Sequence, residues 1–371
     1  MTSVSRVRLL IVTILLAGLT GCGPAEPLRL GFISGQTGAF ADLGAAGLNG
    51  AILAVEQRNQ KGGINGQAIT LVIRDDEHSP PKAKAAFESL IKEQVVAIIG
   101  PMTSAVATEL IPLADKEKIL LMGGTVVTNR ATGKDDYFLR AIAPARHYAA
   151  YSAGEHYKAL KPQRVHIVFD AANRDYAENW ARDYESELER LGVPQRVIVE
   201  VDSRSPHANQ ATLLAKINAN SPDLVTFATS AKTAAGFMLR LREKNQTVRF
   251  AVSAWAANRL LVEVAGSAAE GTLVEQYHNL HDTSPAYKQF DTDYRQRFKF
   301  GPDYAAVISY DATNIVLDGL KNHSRRAGLK ESLLQKQTFS GLQTTITLDR
   351  FGDATRPGFT TTVKGGQFAP L

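Results

Sequence analysis

Short apolar runs alternate with amphipathic segments along most of the chain. Residues 28–33 form a strand-like segment, whereas the segment that follows places Leu48, Ala51 and Val55 on one face. Apolar residues that recur at this helical spacing indicate a helix with one buried side. The run 95–99 is apolar at every position, which is typical of a strand that is buried on both faces. The first part of the chain is therefore predicted to alternate strands with helices.

The same alternation predicts the fold class. When helices connect successive strands, the strands pair in parallel. The pattern restarts after residue 144, and two long helices are predicted over 287–298 and 305–320 before a strand-rich end at 342–368. We therefore predict an α/β protein with two lobes, each built on a doubly wound parallel sheet.

The first residues have the pattern of a signal peptide, which is cleaved from the mature protein. Two arginines precede residues 9–19, an uncharged apolar run that is too short for an ordinary membrane span. The run ends in Leu19-Thr20-Gly21-Cys22, which resembles the lipobox of bacterial lipoproteins, in which the cysteine is acylated. Cys22 is also the single cysteine of the chain, so it has no partner for an internal disulfide. We predict a signal peptide over 1–21 and a lipidated tether over 22–27. The alternative is a buried N-terminal helix or membrane anchor with an incidental cysteine.

Composition and charge narrow the function classes. The chain has 371 residues, of which 44% are hydrophobic and 21% are charged, and this composition excludes a disordered, collagen-like or coiled-coil protein. The formal charge of +5 is spread along the chain without a basic block. Nothing in the sequence therefore predicts a nucleic-acid partner.

Seven short motifs occur in an order that resembles one protein family. They are Gly35-Gln36-Thr37-Gly38, Asn49-Gly50-Ala51, Gly62-Gly63-Ile64-Asn65-Gly66, Asp75-Asp76, Ile98-Ile99-Gly100-Pro101, Ala268-Ala269-Glu270-Gly271 and Ser309-Tyr310-Asp311-Ala312. Together they resemble the leucine/isoleucine/valine-binding type of periplasmic solute-binding protein, which is the receptor subunit of ABC importers. The motifs span nearly all of the chain that follows the predicted signal peptide.

The resemblance implies an architecture and a way of binding. Three chain crossings would join the lobes, and a small ligand would be enclosed as the lobes close like a hinge. Lobe I is then expected over 28–142 and 277–340, and lobe II over 143–276 and 341–371.

In the first lobe, the resemblance points to three hydroxyl groups. Ser104 follows a buried strand at the start of a helix, where hydroxyls and free N–H groups attract an anion, and the resemblance places the serine that binds the ligand carboxylate there. The alternative is that Ser104 only caps the helix. The segment 123–128 resembles a second ligand loop that binds the amino group of the ligand. An ungapped comparison places Val127 at its hydroxyl position, so Thr125 or Thr128 takes that role after a small shift, unless the segment is only a turn.

In the remaining part of the chain, four residues match positions near the ligand of relatives. Tyr176, Ser230 and Trp255 follow predicted strands of the second lobe, and Tyr304 matches the start of a helix that approaches the cleft. The alternatives are a surface tyrosine for Tyr176 and core packing for Trp255.

One position departs from the family pattern. Relatives that bind α-amino acids place an acid where this chain has Ala254, because a desolvated ammonium without a counter-charge is costly. Trp255 offers an aromatic face for a cation or a ring instead. Glu275 is a further candidate for the missing acid.

Two other functions are alternatives to ligand capture for transport. An enzyme is not indicated, because the histidines are scattered and no nucleophile or phosphate-loop motif is present. His278 and His281 have a spacing that suits a metal, and Asp75 and Asp76 form an acidic pair, but exposed polar loops explain both. The second class is a ligand-sensing receptor subunit that signals through a separate partner.

The sequence thus predicts a solute-binding lipoprotein of an ABC importer, without enzymatic activity, cofactor or metal. Its ligand is expected to be an amino acid of the branched-chain type or a related small carboxylate. Its expected partners are the ABC permease and ATPase subunits, and a lipid anchor would hold the body of the protein in the cell envelope, outside the cytoplasmic membrane.

Overall fold

The structure, a computed structural model, describes residues 26–38, 40–205, 210–323 and 325–371. The predicted signal peptide and Cys22 lie outside these residues. Within the described ranges, none of the helices has the length and apolar character that a membrane crossing needs.

The first sheet contains five parallel strands. They are β1 (Leu28–Ser34), β2 (Ile69–Asp75), β3 (Ile98–Ile99), β4 (Leu121–Gly123) and β5 (Phe138–Arg140), in the spatial order β2-β1-β3-β4-β5. Helices α1 (Ala41–Gln60), α2 (Pro80–Lys92) and α3 (Ser104–Glu117) connect the first four strands. The predicted strand over 95–99 is shortened to its last two residues, because the amide of Val95 still bonds to the Leu90 carbonyl and closes helix α2.

The second sheet begins with another strand-and-helix series. Its first strands are β6 (Arg164–Asp170), β7 (Gln195–Val201), β8 (Leu224–Ala228), β9 (Arg249–Val252) and β10 (Leu273–Gln276), all parallel. Its helices are α4 (Ala145–Leu160), α5 (Arg174–Arg190), α6 (Gln210–Ile217), α7 (Ala231–Lys244) and α8 (Arg259–Ala265). The predicted fold class, two parallel α/β lobes, is confirmed.

The last part of the chain serves both lobes. It contains α9 (Pro285–Phe298), α10 (Tyr304–Leu320) and α11 (Leu329–Lys336), and then β11 (Thr338–Ser340), β12 (Thr345–Leu348), β13 (Ala354–Thr355), β14 (Phe359–Lys364) and β15 (Gln367–Pro370). Strands β11 to β13 form a small antiparallel sheet, whereas β14 and β15 extend the second large sheet in the order β15-β14-β10-β9-β8-β6-β7. The predicted boundary between residues 340 and 341 falls inside the small sheet, and the lobe bounds as a whole stay a prediction.

Helices α1 and α10 approach each other closely in the first lobe. A Cβ atom on Gly50 would lie 2.1 Å from the backbone oxygen of Ala306. Only glycine fits at this point of α1, which gives the Asn49-Gly50-Ala51 motif a packing role. Through this contact α10 is held with its first residue, Tyr304, at the edge of the interlobe region.

Two buried ion pairs lie where the chain passes between lobes. Arg140 at the end of β5 pairs with Asp353 at 2.6 Å, and Arg356 after β13 pairs with Asp311 on α10 at 2.8 Å. Asp311 also accepts a bond from the amide of Leu342. A buried charge without its partner is costly, so these pairs hold the crossing segments in one arrangement.

Candidate functional site

A small cavity, called the inner cavity below, lies between the two lobes. Its volume is about 20 Å³, which is room for about one water molecule. The described residues that line it are Leu43, Met102, Ser104, Thr125, Val127, Asn173, Tyr176, Trp255, Tyr277 and Tyr304. The structure thus brings Ser104, Thr125, Tyr176, Trp255 and Tyr304 together, as a shared site requires. That these residues bind a ligand stays a prediction.

The first turn of helix α3 forms one wall of the inner cavity. Thr103 occupies the N-cap position, without a side-chain capping bond, and Ser104 is the first helical residue. The alternative in which Ser104 caps the helix is therefore wrong. Ser104 is only 2% exposed, and the first N–H groups of a helix have no intrahelical partner. Its hydroxyl and the neighbouring amides form a site that suits a carboxylate.

Asn173 joins this helix end to the opposite lobe. It closes the short 3-10 turn Ala171–Asn173 that follows β6, and its Oδ1 accepts a hydrogen bond of 3.1 Å from the Ala105 amide. Asn173 is 4% exposed and lines the inner cavity. Sequence reasoning missed it, because its bond to the Ala105 amide depends on how the two lobes meet.

The loop after β4 brings one of its two predicted threonine hydroxyls to the inner cavity. Thr125 lines the wall and donates a 2.5 Å bond to the Met102 carbonyl. Thr128 is not among the lining residues: it is fully buried, its hydroxyl accepts from the Arg130 amide, and its carbonyl accepts from Arg140 Nη1. Val127 lines the cavity instead, at the position that the ungapped comparison assigned to it. The geometry therefore gives Thr128 a structural role.

Aromatic rings form most of the remaining wall. Trp255 lies on the 3-10 turn Ala254–Ala256 after β9, with the edge of Tyr176 at 5.8 Å and Phe40 of the first lobe at 5.0 Å between ring centroids. Tyr277 and Tyr304 meet edge to face at 5.4 Å. Among the described residues, the buried hydroxyls of Tyr176 and Tyr277 make no hydrogen bond of standard geometry. Burial raises the pKa of both phenols, so both can donate a hydrogen bond.

Glu275 lies behind this wall rather than in it. Its side chain is completely buried and accepts hydrogen bonds from Ser152 Oγ at 2.5 Å, Trp180 Nε1 at 3.0 Å and the Ala254 amide at 3.1 Å. Burial raises the pKa of this carboxyl. None of the described lining residues of the inner cavity is charged. Glu275 therefore holds the Ala254 loop by its backbone and does not replace the missing acid at the cavity surface.

Ser230 lies in a different place. It is the N-cap of helix α7, accepts a bond from the Thr233 amide, and lines a larger cavity of about 320 Å³, called the outer cavity below. The structure thus separates Ser230 from the other predicted site residues.

Polar contacts hold the lobes together around the inner cavity. Asn258 Nδ2 donates to Asp42 Oδ2 at 3.0 Å, and Asn129 Nδ2 donates to Asp183 Oδ2 at 2.7 Å. An exposed pair joins Arg130 to the second lobe. With about 20 Å³ of free volume, a molecule larger than water can enter only when these contacts break and the lobes move apart.

The histidines and acids considered for metal binding do not assemble. Within the described residues, no group of three or more histidine, cysteine or acidic side chains could hold a metal ion. His278 is buried, which lowers its pKa to about 3, whereas His281 is exposed. Asp75 accepts from Gln36 and Thr37 in the loop after β1. Asp75 organises this loop, whereas His278 and Asp76 are buried, so the expectation that exposed polar loops explain both pairs is wrong for these two residues.

Comparison with known proteins agrees with the two-lobed fold. The model of a family described as periplasmic binding protein matches residues 27–367. The chain is 25% identical over 331 residues to the Leu/Ile/Val/Thr-binding protein of Salmonella typhimurium, with 89% of each chain covered. The structure is similar to a leucine-binding protein of Thermotoga maritima, with a TM-score of 0.84, 23% identity, and 92% and 97% of the two chains covered. It is also similar to a solute-binding protein of R. palustris in complex with benzoate, with a TM-score of 0.83, 20% identity, and 93% and 95% covered.

Proposed function

The chain belongs to the periplasmic binding protein family, and from this we propose that it is the solute-binding lipoprotein of an ABC importer. It captures an amino acid or a related small carboxylate in the inner cavity and delivers it to a membrane permease. The observation that carries this proposal is the first turn of α3, with Ser104, at a cavity that both lobes enclose.

The ligands of two similar proteins support the substrate class. The Salmonella relative is a Leu/Ile/Val/Thr-binding protein, and the R. palustris neighbour holds benzoate. Both kinds of ligand carry a carboxylate, which is the group that the Ser104 end of the cavity suits. They differ in the ammonium group, for which the described lining residues offer no carboxylate.

Closure of the lobes creates a surface that the permease recognises. A ligand that contacts both lobes favours the closed arrangement, since it binds that arrangement more tightly. The closed pair of lobes then presents a surface that the open pair lacks. This coupling between capture and delivery is what a transport role requires.

A binding panel tests the ligand class. The purified full chain is titrated calorimetrically and by thermal shift with leucine, isoleucine and valine, with their deaminated 2-oxo acids, and with benzoate. A ligand at 100 times its dissociation constant adds about 2.7 kcal/mol of stability, which gives a measurable shift. Ser104→Ala is expected to weaken binding, whereas Ser267→Ala, on an exposed turn of the second lobe, is the matched control. Unchanged affinity in Ser104→Ala contradicts the assignment of the carboxylate site.

Uptake separates transport from sensing. Cells that lack this protein are expected to lose uptake of the radiolabelled ligand, and expression of the chain is expected to restore it. Intact uptake together with a lost cellular response to the ligand favours the alternative, a receptor subunit that signals through a separate partner.

Lipidation at Cys22 is tested by labelling. Cells fed radiolabelled palmitate are expected to label the wild-type chain and not Cys22→Ser, which is expected in the soluble fraction. Label that persists in Cys22→Ser contradicts the lipobox assignment.

A further inference from the structure

The outer cavity is large enough to hold a small molecule. Its volume of about 320 Å³ lies at the lower end of the range of ligand pockets in proteins, whereas the inner cavity holds about one water molecule. The second lobe supplies nearly all of its described wall, from the end of β7 and the first half of α7. Phe40 is the single described lining residue from the first lobe.

Both apolar and basic side chains line the outer cavity. Phe40, Val201, Leu213 and Phe237 supply apolar surface, and the basic side chains Lys232 and Arg240 also line the cavity. Asp202 lies there too, but Arg204 pairs with it at 2.7 Å. An apolar surface beside cations suits a molecule with an apolar part and a negative group.

The start of helix α7 points to the position of the negative group. Ser230 caps this helix of 14 residues, and its hydroxyl lies 3.0 Å from that of Thr233. Both line the cavity together with Lys232. Among the described residues, no ion pair or side-chain hydrogen bond engages the ammonium of Lys232, which is exposed to solvent.

Gly236 is an independent sign that the space is kept open. It lies in the interior of α7, where glycine is less stable than alanine, and its φ is not in the left-handed region. A Cβ atom at this position would meet nothing within 4 Å, and Gly236 lines the outer cavity. Neither backbone conformation nor close packing requires this glycine, and without a side chain it leaves this face of α7 open to the cavity.

We propose that the outer cavity is a second ligand site, which takes a carboxylate with an apolar body, such as an arylalkanoate. The carboxylate lies at Lys232 and the start of α7, and the apolar body lies between Phe237 and Phe40. Because Phe40 also contacts Trp255 of the inner cavity, this pair separates the two sites. The inference goes beyond the proposed function, since the site shares no described lining residue with the inner cavity.

The test uses 4-phenylbutyrate as the probe and the full chain as the protein. Calorimetry is expected to show binding of 4-phenylbutyrate and none of the uncharged 4-phenylbutanamide. Lys232→Met is expected to weaken binding about ten-fold or more, the loss of one charge-assisted hydrogen bond. Lys244→Met is the matched control, since Lys244 is exposed at the other end of the same helix and does not line the cavity.

Glycine variants test the location independently of charge. Gly236→Leu fills the cavity and is expected to abolish binding of 4-phenylbutyrate, whereas Gly236→Ala adds a single methyl group in open space and retains it. Circular dichroism of both variants checks that α7 remains helical. Ser104→Ala is expected to leave the affinity unchanged.

Three results would overturn the proposal. The first is that 4-phenylbutyrate does not bind the wild-type chain, and the second is that Gly236→Leu binds it as tightly as the wild type. The third is that Ser104→Ala weakens its binding and Lys232→Met does not. The last result would place the probe in the inner cavity. The proposed transport function fails separately, if the amino acids and small carboxylates of the binding panel do not bind or if their affinity is the same in Ser104→Ala.

Discussion

The hydrogen bond between Asn173 and Ala105 is expected to favour the closed arrangement of the lobes. Asn173→Ala removes the acceptor of this 3.1 Å bond. The Ala105 amide then lies beside the cavity, where a water molecule can replace the lost side-chain oxygen as its acceptor. A neutral hydrogen bond contributes about 1 kcal/mol net, so the ratio of closed to open molecules is expected to fall about five-fold.

Tryptophan fluorescence can measure this change. The chain has two tryptophans: Trp180 is completely buried within the second lobe, whereas Trp255 lies against Phe40 of the first lobe. Opening removes Phe40 from Trp255 and leaves Trp180 covered. Acrylamide is therefore expected to quench a larger share of the fluorescence in Asn173→Ala than in the wild-type chain.

Asn179→Ala is the matched control for Asn173→Ala. The Asn179 amide bonds at 2.8 Å to the Asp175 carbonyl of its own helix, so its removal leaves the cross-lobe contacts in place. Equal quenching in Asn173→Ala and wild type, or an equal increase in both variants, would refute the reasoning.

Three further predictions concern the wall and two buried acids. Trp255→Ala is expected to weaken binding of phenylalanine about two- to ten-fold more than that of valine, because a ring contact is worth about 0.5–1.5 kcal/mol; equal losses in calorimetry argue against ring contact. Glu275→Leu leaves three buried donors unpaired and is expected to lower the free energy of unfolding by about 3 kcal/mol or more, measured with urea; a loss below about 1 kcal/mol contradicts this. Burial raises the pKa of Asp76, which is 1% exposed, to about 6, so the folded chain favours its protonated form. Its contribution, about 3 kcal/mol, is complete below about pH 4 and is lost as the pH rises through 6. Asp76→Asn is expected to lack this loss, and identical pH profiles of unfolding contradict it.

The order of the elements could be predicted because periodicity is a local property. The long helices and the buried strands of both sheets follow directly from apolar spacing. Helices α8 and α11 and strands β5 and β11 were missed because they are short, with seven, eight, three and three residues. Helix α8 did have a signal, since Asn258 caps it by accepting a bond from the Leu260 amide.

The candidate site was only partly predictable, for a different reason. Ser104 and Trp255 follow strands at the carboxyl ends of the sheets, where ligands bind in folds of this class. Thr128 and Thr125 have the same local pattern, but the hydroxyl of Thr128 accepts from the Arg130 amide and its carbonyl accepts from Arg140, and these contacts hold Thr128 outside the cavity. Asn173 acts across the cleft, so its role depends on how the lobes meet, which no local pattern contains.

The position of one carboxylate bears most directly on the class of ligand in the inner cavity. Glu275 is near the loop of Ala254, but its oxygens are already occupied by three donors. To reach an ammonium in the cavity, the carboxyl would have to move away from these donors, and a buried donor without a partner is costly. A carboxylate ligand without an ammonium avoids that cost and still finds Ser104 and the start of α3. Leucine carries an ammonium on Cα where its 2-oxo acid carries a carbonyl, so the ratio of their affinities measures how well the inner cavity accommodates an ammonium.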